Sequence, residues 1–340
     1  MRASIKDIAK ITGYSITTVS LVLNNKGNKI SSETTERILA TARSLNYRPN
    51  RHAVSLVKQQ SKTFGLIVPD ISNHYFAKLA TGIESGCREY GRMMFLCNTN
   101  DQHVRNIEYI NQLAEMGVDG IVDILSADTS TEQGQQEVKL LEDLEIPYVL
   151  VDRIIDAPGC AGIQNDHIQG GYLATKHLLE LGHRKIACVT GPMLLMDARQ
   201  RYEGYCKALL EYGIDSEKQP IYYGDYTEEC GEAAVRKWKG MEYTAVFACN
   251  DASALGVYRM LISEGTRVPE DVSVVGYDDA IYANMIEVPL TTIRQPIEEM
   301  GRAAAKYLDE MVNGQGPLTE PIVFNPSLVI RKSTARRSIL

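Results

Sequence analysis

Two hydrophobic periodicities divide the chain. Over residues 5–45 the apolar positions recur every three or four residues, which is the spacing of one face of an α-helix. From Phe64 onward, short apolar runs such as "FGLIVPD" and "KIACVTGP" alternate with amphipathic stretches such as 75–90, 104–116 and 197–212. Alternating strands and helices predict parallel sheets with helices on both faces. The pattern therefore predicts a small helical module followed by a larger α/β body.

The helical module is predicted to contain three short helices. The first begins at the capping-box sequence "SIKD" and ends at Gly13, which permits a sharp turn. Ser15 can cap a second helix that runs to about Asn24, and Ser31 or Ser32 can cap a third. A helix, the three-residue turn "GYS" and a second helix form the helix-turn-helix pattern.

The α/β body is predicted to consist of two lobes. Its strands and helices divide near Ile163–Asp166, with similar sets on each side, which indicates two doubly wound parallel sheets. Small-molecule sites in such folds lie at the carboxyl ends of the strands. The predicted domains are the helical module 1–49, a short helix and linker 50–62, an N-lobe of 63–163 with 293–321, and a C-lobe of 164–292 with 322–340.

Charge separates the same two parts of the chain. Residues 1–62 hold 11 Lys and Arg against 3 Asp and Glu, whereas the remainder holds 25 against 40. A basic module on an acidic body indicates a polyanion as the partner of the module alone. The alternative is a solvated basic tail, which the apolar periodicity of the module disfavours.

The sequence offers little for metal, cofactor or membrane chemistry. The seven cysteines are scattered without a CxxC pair, and no His/Cys cluster has the spacing of metal ligands, so we expect neither a metal nor a cofactor. No apolar run approaches the roughly 20 residues of a membrane span, and the N-terminus lacks the apolar core of a signal peptide, so we expect a cytoplasmic protein. The histidines that we interpret as surface or helix-end residues are His74, His103, His167, His177 and His183.

The chain resembles the LacI/GalR family of bacterial transcription repressors. The resemblance rests on "IKDIAKITGYSITTVSLVLN" and "YRPN" near the N-terminus, and on "GLIVPDISNHYF", "CNDASALG" and "VPEDVSVVGYDD" in the body. It implies an N-terminal all-α helix-turn-helix headpiece and an α/β core like that of periplasmic sugar-binding proteins. It also implies a repressor, with no enzymatic activity, whose affinity for operator DNA is controlled by a small-molecule effector. Because paired headpieces read the two halves of a palindrome, we expect a homodimer.

The resemblance places DNA recognition on the second helix and on a hinge helix at 50–57. By this resemblance, Ile16, Thr17 and Leu21 contact base edges in the major groove. Leu56, supported by Ala53, would act as a wedge in the minor groove, and the alternative is that it packs against the body. The DNA-binding set is Ser15, Ile16, Thr17, Thr18, Ser20, Leu21, Asn24, Ala53 and Leu56.

Leu21 is the unusual member of this set. Most relatives carry arginine there, in "VSRVLN" rather than "VSLVLN", and arginine can donate to guanine in the major groove. Leucine can only contact an apolar group, so the sequence predicts that Leu21 contacts a thymine methyl group. The alternative is that Leu21 packs against the first helix or a neighbouring side chain and reads no base.

The resemblance also implies an effector cleft between the lobes. Asp, Asn and Arg bind the hydroxyl pairs of sugars, and Tyr and Phe cover their flat faces. The effector-binding set is Asn73, Tyr75, Phe76, Asp152, Arg199, Tyr226, Asn250, Asp278 and Gln295.

Some of these residues also have structural interpretations. Asp278 can instead turn the chain after its strand, and Asp152 can pair with Arg153, while Tyr75 can belong to the core. Leu195 stands where the purine-binding member of the family has an arginine, which favours a sugar over a purine. The spacing of "GPMLLMDARQRYEG" is similar to that of ribose repressors, which favours a pentose.

Two other classes of function are compatible with the body alone. A sugar-uptake binding protein needs export, and this chain carries a headpiece in place of a signal peptide. An enzyme could use Asp278 and Asp279 as acid and base, but adjacent residues at a strand end point to opposite sides. The sequence has no P-loop and no GxGxxG motif after a strand, so the repressor interpretation is favoured.

Overall fold

The computed structural model describes residues 3–24, 30–47, 60–155 and 162–337. The chain divides into two compact units, Met1–Ser61 and Lys62–Leu340. The predicted hinge helix at 50–57, with Ala53 and Leu56, lies outside the described residues.

The first unit contains three helices with a shared apolar core. They are α1 (Ile5–Thr12), α2 (Ile16–Leu23) and α3 (Ser32–Ser44). Serine side chains at positions 4, 15 and 31 cap the three helices by accepting from backbone N–H groups of the first turns. Gly13 ends α1 with a φ of 77°, a left-handed conformation that favours glycine. The buried core side chains are Ile8, Ala9, Val19, Val22, Ile38 and Ala42.

The second unit alternates strands and helices, as the periodicity predicted. Its strands are β1 (Thr63–Val68), β2 (Met93–Asn98), β3 (Gly120–Asp123), β4 (Tyr148–Val151), β5 (Gly162–Asn165), β6 (Ile186–Thr190), β7 (Ile221–Tyr223), β8 (Ala245–Ala248), β9 (Ser273–Val275), β10 (Thr292–Arg294), β11 (Ile322–Phe324) and β12 (Ser327–Val329). Its helices are α4 (His74–Glu89), α5 (His103–Glu115), α6 (Thr131–Asp143), α7 (His167–Glu180), α8 (Met196–Glu211), α9 (Glu228–Lys237), α10 (Asp251–Ser263) and α11 (Ile297–Val312). Short 3-10 helices occupy Ser216–Lys218 and Ile281–Asn284.

The strands form two parallel sheets and one small antiparallel pair. The first sheet, in the N-lobe, has the order β11-β5-β4-β3-β1-β2, and the second, in the C-lobe, has the order β7-β6-β8-β9. The pair β10 and β12 is antiparallel. The inner strands β3, β6 and β8 are buried along their whole length, which is typical of parallel sheets covered by helices on both faces.

The lobe boundaries differ from the prediction near the ends of the first sheet. Strand β5 extends to Asn165, so residues 164 and 165 belong to the first sheet and not to the predicted C-lobe. Strand β11 also belongs to the first sheet, because Ile322 pairs with Ile163. The physical reason is burial, since Ile322 and Phe324 pack against the apolar core of the N-lobe. The last crossing between the lobes therefore follows Phe324 and does not precede Ile322.

The described ranges contain no membrane-spanning helix and no cluster of metal ligands. None of the helices there has the length and apolar character needed to cross a bilayer. The same ranges hold no group of three or more His, Cys, Asp or Glu side chains that could bind a metal ion.

Candidate functional sites

Helix α2 presents one face to the core of the first unit and another to solvent. Val19 and Val22 are buried in that core. On the other side Ile16 is 47% exposed and Leu21 is 39% exposed, and Thr17 lies beside them in solvent. Leu21 is therefore not packed into the core. These three side chains form a small surface that combines two aliphatic groups with one hydroxyl.

The polar neighbours on α2 are occupied within the helix. The Ser15 hydroxyl accepts from the Thr18 backbone N–H at 3.1 Å and lies 2.8 Å from the Thr18 hydroxyl. The Asn24 side chain donates to the carbonyl of Ser20 at 2.8 Å. These four residues fix the two ends of α2 and so orient its exposed face.

A buried polar cluster lies between the lobes of the second unit, with Arg201 of α8 at its centre. The Arg201 Nη1 atom donates to the carbonyl of Cys249 at 2.7 Å and lies 3.7 Å from Asp278 Oδ1. Its Nη2 atom lies 3.5 Å from Asp197 Oδ2. The guanidinium carbon lies 4.1 Å from the centroid of the Tyr277 ring. Arg201 is therefore a buried cation held by two carboxylates and an aromatic face.

The N-lobe contributes Tyr75 and Asp152 to this cluster. The Tyr75 hydroxyl donates to Asp152 Oδ1 at 2.5 Å. His167, at the start of α7, places its Nε2 atom 3.9 Å from the same oxygen. Because His167 Nδ1 accepts from Arg201 Nε at 3.3 Å, the imidazole proton lies on Nε2.

Gln295 and Tyr226 complete the cluster. The Gln295 side chain donates to Asp278 Oδ1 at 2.8 Å, and the Tyr226 hydroxyl donates to Asp197 Oδ2 at 2.8 Å. Asp152, Tyr226 and Asp278 have φ angles of 66°, 69° and 112°. Non-glycine residues with such angles are uncommon and concentrate at functional sites.

Four buried polar atoms of this cluster have no hydrogen-bond partner among the described residues. A buried polar atom left without a partner costs about 1–3 kcal/mol, so a ligand or ordered water is expected to satisfy it. Three of the four are acceptors and one is a donor: Asn165 Oδ1, Asp197 Oδ1, Gln295 Oε1 and His167 Nε2.

Burial and mutual repulsion perturb the acids of the cluster. Burial raises the pKa of Asp278 to about 7, although the positive charge of Arg201 opposes the shift. Burial and the negative charge of Asp197 raise the pKa of Asp152 to about 6. For Asp197 itself, burial also favours the neutral form, but Arg201 and its basic neighbours outweigh it and lower the pKa. Burial lowers the pKa of His167 to about 3, so its imidazole is neutral at pH 7.

Two glycines set the position of α8 against α7. A Cβ atom at Gly171 would lie 2.0 Å from the carbonyl oxygen of Arg201, and one at Gly204 would lie 2.1 Å from that of Ile168. Side chains do not approach backbone so closely, so only glycine permits this helix crossing. The crossing places the first turns of α8, with Arg201, beneath the cleft.

Five of the nine predicted effector-binding residues lie in the cluster: Tyr75, Asp152, Tyr226, Asp278 and Gln295. Asn73 is exposed and caps α4 by accepting from the Tyr75 N–H at 3.0 Å. Phe76 is buried in the N-lobe core, with the Arg153 guanidinium 5.2 Å from its ring centroid. Asn250 caps α10 and donates to the carbonyl of Tyr226 at 2.8 Å, so both ends of its side chain are occupied.

The alternative role of Asp152, a direct ion pair with Arg153, is not observed. Arg153 instead pairs with Asp101 at 2.6 Å. Asp152 is consequently left facing the cleft, where Tyr75 is its hydrogen-bond donor.

Arg199 does not join the cluster, contrary to expectation. It is exposed, and its Nη1 atom donates to the carbonyls of Met193 and Leu194 at 3.1 and 2.8 Å. Two steps along a helix rotate a side chain by about 200°, so Arg199 and Arg201 point to opposite sides. The helical pattern contained this signal, because Arg201 lies four residues before the buried Tyr205.

Sequence reasoning also missed several members of the cluster: Asn165, His167, Asp197, Arg201 and Tyr277. His167 begins α7 and is therefore a helix-end residue, as interpreted, but it is only 1% exposed and does not lie on the surface. His183 is also not a surface residue, since it is 3% exposed and hydrogen-bonds Thr244 and Ala335.

Asp278 and Asp279 point to different surroundings, as predicted. Asp279 lies 2.6 Å from Arg294 Nε and also pairs with Arg331. Asp278 faces Arg201. The two carboxylates therefore do not flank a shared space as the acid and base of a hydrolase would.

Comparisons with known proteins agree with this architecture. Residues 4–50 match the model of the lacI family of bacterial regulatory proteins, and residues 175–334 match that of a periplasmic binding protein-like domain. The chain is 36% identical over 334 residues to the HTH-type transcriptional repressor PurR of Photobacterium profundum, covering 97% of this chain and 98% of that protein.

Solved structures give the same assignment. The lac repressor dimer bound to operator and the anti-inducer ONPF is similar with a TM-score of 0.86 at 27% identity, covering 98% of this chain and 100% of that one. A LacI family transcriptional regulator from Enterococcus faecium with bound ribose is similar with a TM-score of 0.73 at 32% identity, covering 81% and 100%. The chain belongs to the LacI family of bacterial regulatory proteins, and it is a DNA-binding transcriptional repressor controlled by a small-molecule effector.

Proposed function

We propose that the effector is a neutral, unphosphorylated sugar of pentose size, bound in the polar cluster between the lobes. The observation that carries this proposal is the set of four buried polar atoms without partners, of which three accept and one donates. A sugar hydroxyl both donates and accepts, so a polyhydroxyl ligand satisfies all four. The ribose-bound Enterococcus faecium relative supports a pentose.

Charge argues against an anionic effector. The cluster holds Asp152, Asp197 and Asp278 around Arg201, and Arg153 is already paired with Asp101 at 2.6 Å. A phosphate group entering this site would meet three acids and one available guanidinium. Coulomb repulsion in a dry cleft is strong, so phosphorylated sugars are disfavoured.

The proposed contacts assign a role to each part of the cluster. Asp278 and Gln295 accept from one hydroxyl pair, Gln295 through its unpartnered Oε1, and Tyr226 covers the sugar face beside Arg201. Predicted residues Asn73, Phe76, Asn250 and Arg199 are left out of this set because they are exposed, in the core or already capping a helix.

A purine effector is the competing chemistry. Leu195 is the N-cap residue of α8, where its side chain makes no hydrogen bond. It is a buried aliphatic residue and offers no donor or acceptor to a base edge. A base would therefore find fewer partners on that side of the cleft than a sugar finds around Arg201.

Calorimetry with D-ribose, D-ribose 5-phosphate and adenine tests the effector proposal. We expect D-ribose to bind and the other two to bind at least ten-fold more weakly. The near-isosteric Asp278→Asn should weaken ribose binding about ten-fold or more, because hydrogen bonds to charged groups contribute about 1.5–3 kcal/mol. The matched control is Arg199→Gln, which should leave affinity unchanged. Tighter binding of adenine, or loss of binding in Arg199→Gln alone, would reject the assignment.

For the DNA-binding unit we propose that Ile16, Thr17 and Leu21 contact base edges in the major groove. The exposure of these side chains supports the proposal, since all three lie on the solvent side of α2. The neighbouring polar residues already form hydrogen bonds within the helix. Ala53 and Leu56 keep their proposed minor-groove role on the resemblance alone. A bacterial protein that binds operator DNA acts in the cytoplasm, so we propose that location for this protein.

We also propose a homodimer that associates through the edge of the N-lobe sheet. Strand β2 is at the edge of that sheet, and Met93, Phe95 and Leu96 on it are 54%, 40% and 42% exposed. Exposed apolar edge strands favour association with another chain. A second copy is the occupant that a palindromic operator requires, and the similar lac repressor is a dimer.

We infer ligand binding without turnover at the cleft. Its acids surround Arg201, and the adjacent pair of Asp278 and Asp279 is divided between two environments. Incubation of the protein with D-ribose should therefore return the sugar unchanged, and any ribose-derived product would refute this inference.

A further inference from the structure

Two consecutive acids form a turn after β9 and face different surroundings. Asp278 and Asp279 have φ angles of 112° and 54°, so both occupy the left-handed region that favours glycine. Non-glycine residues persist there only where the surrounding contacts hold them. Asp278 lies in the cluster around Arg201, whereas Asp279 pairs with other groups. The contacts of Asp279 therefore help to hold the conformation in which Asp278 faces the cleft.

The backbone of this turn is hydrogen-bonded to the segment that leads from one lobe to the other. The Asp278 N–H donates to the carbonyl of Ile293 at 2.8 Å, and the Gly276 N–H donates to that of Thr291 at 2.9 Å. Ile293 belongs to β10, and Thr291 directly precedes it. After β10 the chain enters α11, whose residue Ile297 is buried in the core of the N-lobe. A shift of the turn therefore acts on a segment that ends in the other lobe.

Two side-chain contacts join the turn to the end of β10. At the ligand cluster, the Gln295 side chain donates to Asp278 Oδ1 at 2.8 Å. On the other side, Arg294 Nε donates to Asp279 Oδ2 at 2.6 Å. Two neighbours in the turn are thus paired with two neighbours at the end of β10. A ligand that moves Asp278 also displaces the ion pair between Asp279 and Arg294.

A second arginine holds the other oxygen of Asp279. Arg331 follows β12, the antiparallel partner of β10, and its Nη2 atom donates to Asp279 Oδ1. Its Nη1 atom donates to the carbonyl of Leu290 at 2.8 Å. Burial favours the neutral form of Asp279, but the hydrogen bonds and charges of the two arginines outweigh burial and lower the pKa. Asp279 is therefore an ionised carboxylate that contacts residues from both strands of the antiparallel pair or directly after them.

We propose that Asp279 is the positioning residue that transmits the effector response from Asp278 to strand β10. Asp279 contacts no ligand, and its ion pair with Arg294 makes the turn and β10 move as one unit. This proposal rests on the proposed contact between the effector and Asp278. Without the ion pair the ligand still binds, but the turn adjusts to it without moving β10. Occupancy of the cleft and operator affinity then lose their coupling.

Operator affinity with and without ligand measures this coupling in the full-length protein. Fluorescence anisotropy gives the operator Kd, on DNA selected from randomised half-sites, in the absence and in the presence of saturating D-ribose. In the wild type the two values should differ about 5- to 150-fold, the usual range of allosteric coupling. Asp279→Asn and Arg294→Gln should each reduce this ratio by about three-fold or more, and the double variant should reduce it no further than Asp279→Asn.

Matched variants separate this role from structural damage. The Arg294 side chain is 54% exposed, so Arg294→Gln removes the ion pair without opening the core. Both variants should bind D-ribose in calorimetry within about three-fold of the wild type, since Arg201 and Gln295 still hold Asp278. The control is Asp271→Asn, which breaks an ion pair of 2.7 Å elsewhere in the C-lobe and should leave the ratio unchanged. A wild-type ratio in either single variant, or losses that add in the double variant, overturns the proposal.

Hydrogen exchange of the ligand-free protein separates this proposal from the choice of effector. In Asp279→Asn, peptides that cover 276–281 should exchange about ten-fold faster than in the wild type, because the turn opens more often, while peptides from the buried strand β6 should not change. Unchanged exchange of 276–281, or equal acceleration in β6, overturns the proposal whether or not D-ribose binds. Local acceleration, together with no binding of D-ribose to the wild type, supports the proposal and rejects only the assignment of ribose as the effector.

Discussion

Raising the pH should destabilise the protein through an acid pair buried in the N-lobe, away from the cluster around Arg201. Asp123 at the end of β3 and Glu137 in α6 are both fully buried. The Asn106 side chain of α5 donates to Asp123 Oδ1 at 3.1 Å and to Glu137 Oε1 at 2.9 Å. His103 Nδ1 is the basic group that faces the pair, 2.9 Å from Glu137 Oε2. Asp123 Oδ2 and Glu137 Oε2 have no hydrogen-bond partner among the described residues, and two ionised carboxylates held by the same Asn106 would repel each other, so the buried pair is favoured when one of the two holds a proton.

The perturbed acidities give the direction and size of the effect. Burial and the charge of Asp123 raise the pKa of Glu137 from 4.5 to about 9, and burial raises that of Asp123 from 3.8 to about 6. Between about pH 6 and 9 the native pair therefore holds one proton that the unfolded chain has lost. The free energy of unfolding falls as the pH rises, by at most about 1.4 kcal/mol per pH unit for one retained proton. Between pH 6.5 and pH 8.5 the acid pair should therefore lower the free energy of unfolding by about 2–3 kcal/mol.

The variant Glu137→Gln isolates this contribution. Its amide does not ionise over this pH range, and its carbonyl can still accept from Asn106. Urea unfolding of the full chain, followed by circular dichroism at pH 6.5, 7.5 and 8.5, should show a markedly flatter pH dependence in this variant than in the wild type. Glu142→Gln, an exposed change of equal charge in the same helix, is the control. Parallel pH dependences in the wild type and Glu137→Gln would refute the reasoning.

Three further predictions follow from packing and exposure. Gly204→Ala should destabilise the protein by about 1–3 kcal/mol and weaken ribose binding, because the added Cβ would lie 2.1 Å from a carbonyl oxygen. Gly316→Ala is the control, since a Cβ there meets open space, and thermal-shift and calorimetric measurements should show no change in stability or ribose binding. Selection from randomised operator half-sites should show that the wild type prefers T·A, by about 1 kcal/mol, at the base pair that Leu21 contacts. The variant Leu21→Arg should prefer G·C at the same base pair. An unchanged preference in that variant would mean that Leu21 reads no base. Phe95→Glu should convert the dimer to a monomer in sedimentation at micromolar concentration, and a persisting dimer would exclude the β2 edge as its interface.

Local sequence signals were sufficient for the helices. The predicted stretches 75–90, 104–116 and 197–212 agree with the observed helices α4, α5 and α8 to within one residue at each end. The caps of the first unit, such as Ser15, were equally readable, because a cap depends on residues three positions apart. These features need no knowledge of the rest of the fold.

Features set by distant contacts were not readable in the same way. The short apolar run of β11 indicates a strand, but nothing in it says that Ile322 pairs with Ile163 in the first sheet. Asn165 and His167 face the cleft only because the chain crosses between the lobes directly at that point. Their roles depend on how the two lobes meet, which no local pattern contains.

The choice between Arg199 and Arg201 is a different kind of error. The resemblance indicated a guanidinium in "DARQRYEG" without saying which of two arginines it was. A helical wheel distinguishes them, since Arg201 shares the buried face of α8 with Asp197 and Tyr205. The residue that carries the site was therefore predictable from amphipathicity, a signal more specific here than motif similarity.

The acids of the cleft also explain how a ligand there can act on the arrangement of the lobes. Asp152 belongs to the N-lobe and Asp197 to the C-lobe, and the negative charge of Asp197 contributes to the raised pKa of Asp152. A sugar that donates hydroxyls to both carboxylates replaces their repulsion with two hydrogen bonds, and it can do so only while the lobes are close together. A ligand shifts a conformational equilibrium only by its differential affinity for the two states. A sugar that bridges Asp152 and Asp197 therefore favours the closed cleft, whereas one that contacts only Asp197 and Asp278, which both belong to the C-lobe, gives closure no advantage.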